Sequence, residues 1–329
     1  MIYSKAYGCL AGVVLGDALG RATEFLTPEQ IRDIYGRVEG LVEPPAWHPH
    51  AGRPLGEVTD DAGQTLSIAA AVLQGLPLTA DSVAEALVSW AEDTDALQST
   101  YLGPSTRRAL TRLMAGEDPN TAGRDGTTVG AAMRVAPVGI ANAGHLQGAL
   151  RDAVAASIPT HGTRPAISAA AAVACGVAEA MREGATVAST IEASQQGARE
   201  GRDYGIWAWT SLLEKRIELA IRLCRETGGV DEAATVLYEY IGVDMRPDQL
   251  IAAAMGLFWA SKGDPMTAIL TAINMGGDTD TLAAIAGGIG GALRGIEVMD
   301  RDLLAQVERV NRLDLDQLAQ QLADAAVRQ

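Results

Sequence analysis

The chain has 329 residues, enough for two domains or one large one, and sets 41 acidic against 26 basic side chains, a formal charge of −15. That balance argues against nucleic-acid binding by phosphate neutralisation and against an anionic membrane surface. Apolar residues make up 48% of the chain but aromatics only 4%, so alanine and glycine carry much of the core and favour helices packed at close approach.

The first predicted helix covers residues 4–18 and is apolar on most faces. Lys5 before the run from Ala6 to Gly16 imitates a secretory leader, but Asp17 follows at once, and the stretch is read as a core helix of a cytoplasmic protein. Residues 20–27 form a loop carrying Glu24. Thr27 and Pro28 then open a short helix over 28–35. Residues 36–58 are loop, rich in proline and glycine. Within it His48 and His50 are expected to be solvated, since no third metal ligand stands near. Helices are predicted at 60–74, 81–92 and 105–114. A loop over 115–129 leads to a helix at 130–143, and Gly126, Thr127, Thr128 and Gly130 offer small side chains and free N–H groups suited to a phosphate there. Further helices are expected at 147–156, 164–182, 186–199 and 208–226. Tyr204, Trp207 and Trp209 stand near the start of the last, open either to stacking on a base or ribose or to ordinary packing. Helices at 230–241, 247–260, 264–273 and 279–293 follow, and a polar, leucine-spaced helix spans 300–327. Period-two alternation of convincing length is absent. The expectation is one compact all-α domain over 1–329, with 300–329 as a peripheral terminal helical segment.

Cys9, Cys175 and Cys224 lie in apolar helical patterns without CxxC spacing, which argues against a disulfide framework or a structural zinc and fits a reducing compartment. Two other stretches carry chemistry. Thr59-Asp60-Asp61 opens one apolar helix, and Gly276-Gly277-Asp278-Thr279-Asp280-Thr281 opens another more than 200 residues on. Asp and Thr at a helix start are ordinary caps, and acids there suit the helix dipole. They are also hard oxygen donors, and the two clusters together hold enough carboxylates to bind divalent cations.

Five segments in order resemble the ADP-ribosylglycohydrolase family of DraG-like hydrolases: Gly16-Asp17-Ala18-Leu19-Gly20 leading to Glu24, Thr59-Asp60-Asp61, Gly130 to Pro137, Pro159-Thr160-His161-Gly162, and Gly276 to Thr281. The resemblance covers about residues 5 to 295. It implies a compact multi-helix domain in which Thr59, Asp60, Asp61, Asp278, Asp280 and Thr281 hold two Mg²⁺ or Mn²⁺ ions. It implies Glu24 as catalytic acid/base or gate, and Gly126, Thr127, Thr128, Gly130, His161 and Gly277 beside the substrate. Asp17 and Arg134 would be braces. Val129 stands where the family often has Asn. The implied activity is hydrolysis at the anomeric carbon of ADP-ribose attached to a protein side chain or small carrier. A smaller N-riboside or nucleotide substrate and a non-enzymatic, crystallin-like role are the alternatives. No nucleic-acid or membrane partner is expected.

Overall fold

The computed structural model describes residues 1–328, and among them the chain is helical throughout, with a single isolated parallel bridge between Thr163 and Ile206 in place of any sheet. Two helices, Ile2–Gly20 and Thr279–Arg294, form the centre. They run antiparallel with their backbones in direct contact. Gly8, Gly12, Gly16 and Gly20 recur every fourth residue and so share one face of the first helix. A Cβ on Gly12 would stand 2.2 Å from the Gly287 carbonyl oxygen, and one on Gly16 would stand 2.3 Å from the Ala284 nitrogen. Only glycine permits this approach. Each helical glycine costs roughly 1 kcal/mol of helix propensity. Dense backbone packing against Ala283, Gly287 and Gly291 offsets it.

A second layer repeats the device with alanine. Helix Arg164–Ala180 is buried from Pro165 to its end. It lies against Leu146–Ser157 and Val187–Gly201, where Gly197 faces the Ala171 carbonyl. Helices Pro247–Ala260 and Leu213–Arg225 extend the core on the other side. No helix among the described residues is long and apolar enough to cross a membrane.

Several expected elements change. The helix expected at 130–143 does not form. Residues 129–131 make one tight turn, and the helix proper is only Ala136–Ala141. Pro137 supplies no N–H to bond back to the Met133 carbonyl, so it suits the first turn of a helix and not the interior of a longer one. The helix expected at 208–226 begins at Leu213, leaving Trp207 and Trp209 in a loop. The helix expected at 230–241 is Val230–Val236 followed by a widened turn, Leu237–Ile241. The helix expected at 300–327 is two, Arg301–Asn311 and Leu315–Val327, broken where Arg312 turns left-handed at φ 55 and Asp314 caps the second. Leu304, Val307, Leu315 and Leu322 bury one side of this terminal pair. Asn311 also reaches inward: its amide donates to the Gly56 carbonyl at 2.8 Å and its oxygen accepts the Val58 N–H at 3.0 Å. The terminal segment thereby fixes the approach to Thr59.

Candidate active site

The end of Ile2–Gly20 meets the starts of Asp60–Gln74 and Thr279–Arg294, and each junction is tied by side chains that the sequence marks. Asp17 accepts the Thr59 N–H at 3.0 Å and the Ala62 N–H at 2.9 Å, so a residue of Ile2–Gly20 caps Asp60–Gln74. The Thr59 hydroxyl accepts the Asp61 N–H at 3.4 Å. Thr279 donates to the Gly20 carbonyl at 2.9 Å and accepts from Thr23 at 3.1 Å. Gly276 and Gly277 both turn left-handed, at φ 77 and 75, which glycine adopts without strain. That turn lets three loops knit together. The Gly277 N–H reaches the Leu26 carbonyl at 2.9 Å, the Phe25 N–H reaches the Gly277 carbonyl at 2.7 Å, and the Asp278 N–H reaches the Val243 carbonyl at 2.9 Å.

These ties bring five carboxylates into one cleft: Glu24, Asp60, Asp61, Asp278 and Asp280, with Thr281 beside them. Carboxylate oxygens of Glu24, Asp278 and Asp280 lie within 4.8 Å of one another. Thr281 donates its hydroxyl to Asp61 Oδ2 at 3.2 Å, and Gln64 donates to Asp60 Oδ2 at 2.8 Å. Arg134, wholly buried, supports Gln64 at 2.7 Å and also holds Thr160 at 2.6 Å and the Ala156 carbonyl at 2.8 Å. The facing wall is Tyr101, Thr106, Thr128, Val129, Gly130, Met133 and Met245, so no basic side chain among the described residues lines the cleft.

Burial without a cation raises every carboxyl here. Asp278 is pushed up to about 6 and Asp17 to about 7, burial leading in both and Asp280 adding to the second. Glu24, Asp60, Asp61 and Asp280 are held well above the ordinary carboxylate range by burial and then by their acidic neighbours. Asp61 Oδ1 and Asp278 Oδ2 are buried with no hydrogen-bond partner. A cluster of this kind calls for cations or protons, and hard oxygen donors fit Mg²⁺ or Mn²⁺.

His48 and His50 depart from expectation. Both are buried rather than solvated, and both serve Glu24. His50 Nε2 lies 2.6 Å from Glu24 Oε2, and His48 Nε2 lies 2.7 Å from the Glu24 carbonyl. Glu24 itself is no solvated loop acid but part of the buried cluster. Burial, then His48 and two arginines, lowers His50 to about 4, so its contact with Glu24 is a hydrogen bond rather than an ion pair at neutral pH.

The remaining predicted site residues divide. Thr128 and Gly130 line the cleft. Thr127 is exposed and outside the cleft lining, while Gly126 packs against the Thr160 carbonyl, where a Cβ would come within 2.1 Å. No α-helix starts at 130, so the N–H groups this loop offers are those of the short turn at 129–131 rather than of a helix N-terminus. His161 is fully buried behind the wall, its two ring nitrogens 2.7 Å and 2.9 Å from the hydroxyls of Thr160 and Thr128. Gly277 borders a second, open groove of about 520 Å³. That groove meets the cleft at Asp278 and Met245 and carries Phe25, Tyr238, Glu239 and Asp244. Trp207 and Trp209 are 57% and 88% exposed, their rings edge to face at 4.4 Å, and they border a separate groove that shares no lining residue with the acid cleft.

Residues 1–329 match the ADP-ribosylglycohydrolase family model. The Escherichia coli K12 protein YegU is 30% identical over 97% of this chain and 96% of its own length. The ADP-ribosyl-[dinitrogen reductase] glycohydrolase of Rhodospirillum rubrum is 24% identical over 96% of both chains. The ADP-ribosylarginine hydrolase Tri1 of Pseudomonas putida is 27% identical over 98% of this chain and 78% of its own. A solved ADP-ribosylglycohydrolase-related protein complex superposes with a TM-score of 0.71, at 25% identity and 99% coverage of both chains.

Proposed function

The chain belongs to the ADP-ribosylglycohydrolase family of enzymes, and from that premise we propose a divalent-metal-dependent hydrolase that cleaves ADP-ribose from a protein side chain or a small carrier. The observation that supports metal dependence most directly is the five-carboxylate cleft, with its two unpartnered oxygens and no basic residue among those that line it. Thr59, Asp60, Asp61, Asp278, Asp280 and Thr281 are the proposed ligands of two Mg²⁺ or Mn²⁺ ions. Such ions orient vicinal ribose hydroxyls and make water a nucleophile at neutral pH.

The chain's own groups supply the rest. Gln64 and Thr281 hold Asp60 and Asp61 in fixed orientations. Glu24, at the cleft, is the acid/base that takes the proton of the attacking water as the bond to the leaving group breaks. The adjoining groove bears on the leaving group. Asp244 and Glu239 repel a diphosphate and attract a cation, and the exposed Phe25 ring offers a cation its face. We therefore place a cationic side chain such as a guanidinium in the groove and the diphosphate toward Thr128 and Gly130. The relatives named ADP-ribosylarginine hydrolase accord with this placement. The apolar wall of Val129, Met133 and Met245 favours a second reading, a smaller N-riboside. A cytoplasmic setting belongs to the same proposal, supported by three buried cysteines that are all free.

The test is release of free ADP-ribose from ADP-ribosylated arginine, with calorimetry of ADP-ribose binding in Mg²⁺, in Mn²⁺ and in chelator. Metal-dependent binding and release support the proposal. Full turnover in chelator overturns the metal dependence. Metal loading without ADP-ribose binding moves the substrate to the smaller riboside.

A further inference from the structure

We propose that His50 is a positioning residue for Glu24, holding the carboxylate at the acid cleft through a hydrogen bond from Nε2 to Oε2. The inference rests on the reading of Glu24 as the acid/base. The environment around Glu24 pushes the other way. Its carboxylate is buried among like charges, and each of them favours turning it out toward solvent. Among the described residues, His50 supplies the one hydrogen bond to that carboxyl group.

The protons on both rings follow from their partners. The His48 Nδ1 accepts the His50 backbone N–H at 3.2 Å, so the His48 proton sits on Nε2 and points at the Glu24 carbonyl, which can only accept. His48 thus holds the backbone under the carboxylate. His50 Nε2 faces Glu24 Oε2, and once cations in the cleft keep Glu24 ionised the ring donates to it. Its Nδ1 is buried and has no partner. No protein group stands at Nδ1 to take or give a proton, so the side chains offer no relay through the ring. This decides between a relay and a brace in favour of the brace. The brace is itself anchored. The Phe25 ring lies nearly parallel to His50 with centroids 6.5 Å apart, at a backbone φ of 63 that its neighbours must enforce. Thr100 donates to the Pro49 carbonyl at 3.1 Å and holds the loop between the two histidines.

The experiment compares His50→Leu with His50→Gln, since a glutamine amide can place a donor where Nε2 stands. His50→Leu should lower kcat roughly 10–100-fold, the range for lost orienting partners, with KM nearly unchanged, and His50→Gln should restore most of it. An unchanged kcat in His50→Leu, a loss carried by KM, or a loss that glutamine does not rescue overturns the proposal. Nitrogen NMR of the Mg²⁺-loaded wild type gives an independent readout: a proton on Nε2 with Nδ1 bare supports the brace, and a proton on Nδ1 refutes it. Glu24→Gln is measured in parallel. Full activity in that variant refutes the acid/base reading itself, which separates its failure from that of the brace.

Discussion

Asp278→Asn should stabilise the metal-free protein at neutral pH while abolishing turnover. The Asp278 carboxyl is wholly buried and pushed from 3.8 up to about 6, mainly by burial. The folded state therefore keeps a proton there that the unfolded chain gives up at lower pH. Below about pH 4 the group is protonated in both states and carries no penalty. Between pH 4 and 6 the penalty grows, and above 6 it is complete. At 1.36 kcal/mol per pH unit it reaches ~3 kcal/mol. Asparagine keeps the shape, carries no charge, and offers Asp280 a donor. With roughly 2.1 cal/mol/K of unfolding entropy per residue, ~3 kcal/mol raises the Tm of a chain this long by about 4 °C. Thermal unfolding in chelator at pH 5 and pH 7.5 measures it. The variant should gain in full at pH 7.5 and about half as much at pH 5, where only ~1.6 kcal/mol of the penalty has developed. A variant no more stable than wild type at pH 7.5, or an equal gain at both pH values, refutes the picture of an uncompensated buried acid.

The same cluster predicts the response to metal. At pH 7.5, saturating Mg²⁺ or Mn²⁺ at about 100 times Kd should add ~2.7 kcal/mol for each ion bound, and at pH 5 competing protons should reduce that gain in a thermal-shift titration. Gly12→Val should destabilise by ~3 kcal/mol or more, because its Cβ would enter the Gly287 backbone 2.2 Å from the carbonyl oxygen. Gly40→Ala, at a position with open space, should stay within about 0.5 kcal/mol by urea denaturation. Arg134→Met leaves Gln64 and Thr160 without their donor and should cost ~3 kcal/mol. It should also lower kcat about 10-fold, since Asp60 then loses its oriented partner.

What was legible in the chain depends on how local the cause is. The Asp60–Gln74 helix is readable to both ends because its stop signals lie in its own sequence, a threonine cap at Thr59 and Gly75 after the last turn. The two acidic clusters are readable as a pair because each opens a helix. The helix at 130–143 misleads because a stretch from Ala131 to Ile140 that is apolar but for Arg134 hides the break imposed by Pro137. His48 and His50 mislead for a different reason. A proline-rich loop reads as solvated, and the polar partner that both rings find inside is Glu24, over 20 residues away. The central helix pair leaves a signal in Gly8, Gly12, Gly16 and Gly20. Local propensity scores each glycine as a weakness, so only the four-residue spacing betrays the contact.

The glycine contact and the acid cleft are one construction. The last rung of the stripe, Gly20, sits where a Cβ would lie 2.4 Å from the Asp280 Cα, so the close contact of the two helices runs up to an acid that lines the cleft. Backbones that close bring Asp17 near Asp280, and Asp280 helps raise the Asp17 carboxyl to about 7. A bulkier pair of helices would separate those charges and relieve the repulsion. It would also move Asp278 and Asp280 away from Glu24 and Asp61. The packing that costs the metal-free protein stability is therefore what holds the donors together. A substitution that widens the pair at Gly16 or Gly20, even one the fold tolerates, should weaken metal binding before it weakens the rest of the core.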